Sequence, residues 1–163
     1  SVRFWQNYSQ RLKRRMDINR LRESVIAHEG IRYKAYADPI LGASAMTTGV
    51  GHLIRLPQEE ELLEKELTMD EVMEILDGDI EVAVKDAKKF IDEDSIPEEA
   101  FEIVIEMSFQ LGYPRLSGFK NFQKALREKN FLLAKSEMLD SKWARQVPAR
   151  AKNLSDKMGE INA

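Results

Sequence analysis

Cysteine is absent from the 163 residues, which excludes a disulfide framework, a thiol nucleophile and any cysteine-ligated zinc or iron–sulfur site. Histidine is almost as scarce. His28 and His52 are the only two, which makes a dedicated zinc centre, with its about three or four N, S or O ligands, a disfavoured reading. No apolar run exceeds a few residues, so the sequence holds no bilayer span and no secretory h-region. Internal repeats and low-complexity tracts are missing too. Phosphate loops, nucleophile elbows and dinucleotide fingerprints find no match either. Gly49-Val50-Gly51 lacks the third glycine and the strand-to-helix setting that a dinucleotide site needs.

What is present is a chain with 43% hydrophobic and 33% charged side chains, enough for one core that can divide into two lobes. The net charge of −3 conceals a strong asymmetry. Residues 1–35 carry +6, residues 36–57 are neutral, residues 58–106 carry −15 and residues 107–163 carry +6. If the two basic ends share a lobe, that side could approach an anionic polymer, either nucleic acid or bacterial wall. The plainer reading is that these charges solvate helix faces. A nucleic-acid partner is the less favoured of the two polymers, since no binding motif accompanies the basic segments and the acidic middle repels phosphate.

Helical periodicity dominates. Asp17 can cap a helix in which Ile18, Leu21 and Val25 recur at helical spacing, and Gly30 supplies its stop. Residues 31–54 read as a small antiparallel hairpin or three-stranded sheet, punctuated by Asp38-Pro39, Gly42, Gly49 and Gly51. Thr68-Met69-Asp70-Glu71 fits a capping box, followed by one long amphipathic helix with Val72, Ile75, Leu76, Ile80, Ala83, Ala87 and Phe90 on one face. Pro97 opens the next helix, whose apolar side is Ala100, Phe101, Val104, Ile105 and Phe109, and Gly112-Tyr113-Pro114 ends it. Shorter helices are expected around 119–128, 131–140 and 143–157. The expected class is α+β, mostly α: a small antiparallel β lobe and a larger helical lobe joined by a long helix.

Two acids stand out. Glu29 falls on the last turn of a helix, where the macrodipole presents about half a negative charge and disfavours a second anion. Asp38 begins a turn before Pro39, a polar setting that suits an ionised carboxylate. Two carboxyls in contrasting settings are what glycoside hydrolysis needs, one to protonate the leaving oxygen and one to activate water. On spacing alone, Glu29 paired with a basic neighbour and Asp38 capping a turn would account for the same letters.

Their surroundings narrow the choice. Glu29-Gly30-x5-Tyr36-x-Asp38 is followed by Thr47-Thr48-Gly49-Val50-Gly51-His52, then by Met107-Ser108-Phe109-Gln110-Leu111-Gly112 and Ser117-Gly118-Phe119-x-Asn121. Ser141-Lys142-Trp143-x2-Gln146-x-Pro148-x-Arg150-Ala151 closes the series. Over roughly residues 16–155 this resembles the phage-type lysozymes, glycoside hydrolase family 24, in order and nearly in spacing.

The resemblance implies a lysozyme-like fold with an active-site cleft between its lobes. It divides the chain into an N-terminal extension, 1–15, and a single domain, 16–163. Within that domain it places a β lobe at 30–67, a connecting helix at 68–91, and a helical lobe at 92–163 plus 16–29. The implied activity is a muramidase or endolysin that hydrolyses the β-1,4 bond between N-acetylmuramic acid and N-acetylglucosamine, with inversion. Glu29 would be the proton donor, Asp38 the second carboxylate, and Thr47 the residue beside the attacking water. Leu53, Phe109 and Gln110 would line the sugar groove. Arg150 would pair with the catalytic glutamate, and His52 would bridge to Asp79. The implied partner is bacterial peptidoglycan, met by a monomer on the periplasmic side of the wall after synthesis in a host cytoplasm or delivery by phage or secretion. No cofactor and no metal are implied.

Two departures are visible. The turn between Asp38 and Thr47 is longer than the family's usual one, which leaves Thr48 as an alternative to Thr47. Residues 1–15 lie outside the likeness and interleave Phe4, Trp5 and Tyr8 with five basic residues, as a docking segment or a packed helical extension would. A wall-binding relative without turnover and a lytic transglycosylase, which needs a single acid, are the competing functions.

Overall fold

Gly30 does stop the first helix, its amide donating to Ile26 O at 2.7 Å. In the computed structural model, which describes residues 18–39 and 41–162, that helix is α1, Ile18–Glu29, with Leu21 and Val25 buried. The readings placed on residues 1–15 and on Asp17 fall outside the described residues. Three antiparallel strands follow in the order β1 (Arg32–Asp38), β2 (Gly42–Gly49), β3 (His52–Leu53). The register pairs Tyr36 with Thr47 and Ala37 with Met46, but Asp38 with Gly42. The extra residues of the long turn are thus absorbed as a bulge in β2 opposite the end of β1, and Thr47 keeps its place across from Tyr36.

A 3₁₀ turn at Glu60–Leu63, which the sequence pattern did not signal, leads to α2, Met69–Phe90. Its start is the capping box read from the sequence: Thr68 N donates to Glu71 Oε1 at 3.0 Å and Glu71 N to Thr68 Oγ1 at 3.2 Å. Val72, Leu76, Ile80, Ala83, Ala87 and Phe90 are buried along one face, while Ile75 is half-buried. The chain divides into two units, one reaching Glu81 and the other beginning at Val82, so the boundary falls inside α2.

The second unit is helical. Pro97 sits at the N-cap of α3, Glu98–Leu111. Only one apolar side was expected of α3, yet Ile103, Glu106, Met107 and Ser108 are buried as well. The cause is coverage from several directions, since both α4 (Tyr113–Leu116) and α8 (Pro148–Gly159) pack on it. The short α4 forms where a plain stop was expected, because its proline lies in the first turn, where a missing N–H costs nothing. Next come α5 (Lys120–Arg127) and α6 (Phe131–Leu139), the latter capped by Asn130 Oδ1 accepting from Leu133 N at 3.1 Å.

The segment expected as one helix over 143–157 is two, α7 (Lys142–Gln146) and α8. Val147 leaves helical geometry at φ −131° and ψ 65°, as a residue before proline tends to, and Pro148 starts the new helix. Phe90 and Phe122 stack in this unit's core, ring centroids 5.9 Å apart, and Trp143 is buried on α7, the helix that packs on α6 and α8. Among the described residues no helix is long and apolar enough to cross a membrane.

Candidate active site

Both candidate acids belong to the first unit. Glu29 is the last residue of α1 and half-buried. Its side chain lies against the two-residue turn Val50-Gly51 that joins β2 to β3: a Cβ built on Gly51 would stand 2.5 Å from Glu29 Oε2 and 2.8 Å from its Cδ. Asp38 ends β1 and is also half-buried, and its Oδ1 accepts from Leu41 N at 2.8 Å. That bond, with Ser44 Oγ donating to Leu41 O at 2.8 Å, fixes the carboxylate to the turn that follows it.

Successive strand residues face opposite sides of a sheet, and residues directly opposite share a side. Thr47 pairs with Leu53 and with Tyr36, whereas Thr48 pairs with His52. Leu53 is 49% exposed and His52 only 9%, so the Thr47 side is the one that opens outward at β3. Both threonines are themselves buried, and neither hydroxyl has a hydrogen-bond partner among the described residues.

His52 is held between two acids. Its Nδ1 lies 2.7 Å from Asp79 Oδ2 on α2, and its Nε2 lies 3.1 Å from both oxygens of Glu59. Carboxylates only accept, so both ring nitrogens serve as donors when the ring is charged. Burial works against the imidazolium, but the hydrogen bonds and charges of Asp79 and then Glu59 prevail, and the His52 pKa is raised. Burial likewise opposes the Glu59 carboxylate. Bonds from the Arg55 side chain and backbone, followed by His52, outweigh it and bring that pKa down to about 2. The Asp79 contact matches the expected bridge. Glu59 did not figure in the sequence reading, though Arg55 and Glu59 stand at the spacing of a local ion pair.

Three remaining candidates lie in the second unit. Phe109 and Gln110 are half-buried near the end of α3, and Arg150, in the first turn of α8, is buried. Trp143 Nε1 donates to Gln110 Oε1 at 2.6 Å. An indole N–H can only donate, so the amide oxygen must face it, and the NH₂ end of Gln110 is left for other acceptors. Sequence reading treated Trp143 as part of a motif and missed this partnership, because its two members are separated by 33 residues. A pocket of about 550 Å³ in the same unit has Trp143 in its wall together with Arg115, Lys120, Asn121 and Lys142. None of the nine sequence-designated residues lines it.

Among the described residues no group of three or more His, Asp or Glu is arranged to hold a metal ion. Compared with protein-family models, the sequence matches that of phage lysozyme over residues 26–157, which takes in α1's last turn, the sheet and nearly all of α8.

Proposed function

The chain belongs to the phage lysozyme family, whose enzymes hydrolyse peptidoglycan, and from that premise we propose that it is a bacteriolytic N-acetylmuramidase with Glu29 as its proton donor. In this reading the Glu29 carboxyl gives its proton to the glycosidic oxygen between N-acetylmuramic acid and N-acetylglucosamine as that bond breaks. Asp38 stays ionised, stabilises the positive charge that develops on the sugar ring, and takes a proton from the incoming water. Water adds to the face opposite the leaving group, so the configuration inverts.

Thr47 is the residue assigned to that water, in preference to Thr48. The support is its face: Thr47 shares a side with the exposed Leu53, whereas Thr48 shares one with the buried His52. Leu53 and the Phe109 ring offer apolar surface to sugar rings, and the free NH₂ of Gln110 offers a donor to an acceptor such as an acetamido carbonyl. Arg150 is assigned to charge compensation of Glu29 by the family likeness alone. His52 and Asp79 act at one remove, tying β3 to α2. The protein works on the bacterial wall, as a monomer, with residues 1–15 as a docking or linking segment.

The observation that carries the reading is the seat of Glu29: an acid at a helix end, with its carboxyl laid on the glycine turn of a sheet that also carries Asp38. Mass spectrometry of digested peptidoglycan tests it. Reducing N-acetylmuramic acid ends are expected. Anhydro ends would replace the reading with a lytic transglycosylase, and intact glycan with a wall-binding protein.

A further inference from the structure

We infer that Gly51 is the positioning residue for Glu29: the absence of a side chain there defines where the acid's carboxyl rests. The inference rests on the reading of Glu29 as proton donor. Gly49 and Gly51 both adopt the left-handed region, at φ +62° and +64°, so an alanine at either meets the same kind of backbone strain. What they meet in space differs. A Cβ at Gly49 would touch Leu67 and Val72 side-chain carbons at 3.9 Å, ordinary van der Waals distance. A Cβ at Gly51 would stand 2.5, 2.8 and 3.2 Å from Oε2, Cδ and Cγ of Glu29.

The first two separations are shorter than a non-bonded carbon and carboxylate tolerate, so something must move. The part able to move at least cost is the far end of the glutamate, not the strand backbone. The carboxyl would therefore leave its seat while the fold persists. A displacement of about 1 Å in a reacting group can cost about 10²-fold in rate. Gly51 thus acts through Glu29 and touches no substrate. The acid, carried by α1, thus has its carboxyl seated against a different element, the β2–β3 connection.

The experiment compares Gly51→Ala with Gly49→Ala on a soluble peptidoglycan oligosaccharide, at a temperature where both are folded. The expected result is similar losses of thermal stability in the two variants. Gly51→Ala should show a kcat lower by about 10²-fold and a KM within threefold of the parent, whereas Gly49→Ala keeps its kcat within threefold. Equal kcat in the two variants overturns the inference. Should Gly51→Ala not fold, the double variant Gly51→Ala/Glu29→Ala decides: recovery of folding shows that the crowding is with Glu29, and failure overturns the inference. Glu29→Gln, run alongside, separates the two levels. Full activity there removes the proton-donor reading itself, whereas an inactive Glu29→Gln with matched alanine variants removes only the role of Gly51.

Discussion

Nine apolar side chains are buried among the described residues up to Glu81, against twenty-five from Val82 onward. The second unit is organised by that apolar mass: α3 is covered on nearly every side, and Phe90, Phe122 and Trp143 fill its interior. In the first unit, smaller in core, polar and backbone devices do more of the specifying. They include the capping box at Thr68–Glu71, the Asp38 turn, the His52 bridge between Asp79 and Glu59, and the glycine seat under Glu29. The difference teaches where each kind of damage should register. Removing a buried apolar side chain of the second unit's core should act on stability through lost burial, and substitutions at the acids and the His52 bridge of the first should act on chemistry or on pH dependence.

Glu29→Gln is the strongest test of that division. It should lower turnover on peptidoglycan by about 10²–10⁴-fold, the range of a lost general acid, while thermal unfolding stays close to the parent's. Asp38→Asn should be severely impaired as well, and full activity in that variant would favour the transglycosylase mechanism. Near-normal lysis by Glu29→Gln would break the comparison at once, since the first unit would then hold no indispensable acid there.

Phe122→Ala supplies the converse. The ring is 1% exposed, stacked on Phe90 and edge-on to Phe119 at 6.2 Å. Its removal should cost about 3–5 kcal/mol in denaturant unfolding, with kcat unchanged wherever the variant remains folded. A loss of turnover out of proportion to the folded fraction would show that the second unit's core also tunes the chemistry.

The His52 bridge should reveal itself through pH. The His52 pKa is raised above its ordinary 6.5, so the bridge contributes fully below that value and its contribution is lost as pH rises through the folded pKa. The Glu59 pKa is lowered from 4.5 to about 2, so its share is present above 4.5 and lost as pH falls towards 2. Both contributions are complete between about pH 4.5 and 6.5. Asp79→Asn should therefore cost about 1.5–3 kcal/mol at pH 5.5 and much less at pH 9, measured by urea unfolding at each pH. A cost that does not change with pH would mean that the bridge is held by geometry and not by charge.

Much of this was legible in the letters where the determinant is local. The capping box needs four consecutive residues, and the Gly30 stop needs one glycine after a periodic run. The strands were legible from their punctuation. The break at Val147 was within reach of the letters, since Pro148 stands inside the segment expected as one helix and a proline drives the residue before it out of helical geometry. What escaped depends on residues far apart in the chain. The seat of Glu29 on Gly51, the bond from Trp143 to Gln110 and the burial of Glu106 and Ser108 follow from tertiary packing, and no periodicity encodes them. The bulge opposite Asp38 falls between these cases. The long turn was visible, but the register that keeps Thr47 across from Tyr36 was not.

The smallest expected effect is the one that separates neighbours. Thr47 and Thr48 are both buried with hydroxyls that find no partner among the described residues, yet they face opposite sides of β2. A hydroxyl buried without a hydrogen bond is a cost, and valine keeps the branched shape while removing it. Thr48→Val should thus gain about 1 kcal/mol in urea unfolding and leave turnover unaltered, because its side faces His52. Thr47→Val removes the same atom from the side shared with Leu53, and there turnover should fall while stability changes little or rises. A loss of activity in Thr48→Val with none in Thr47→Val would reverse the assignment of the two threonines, and with it the face of the sheet proposed to meet the sugar.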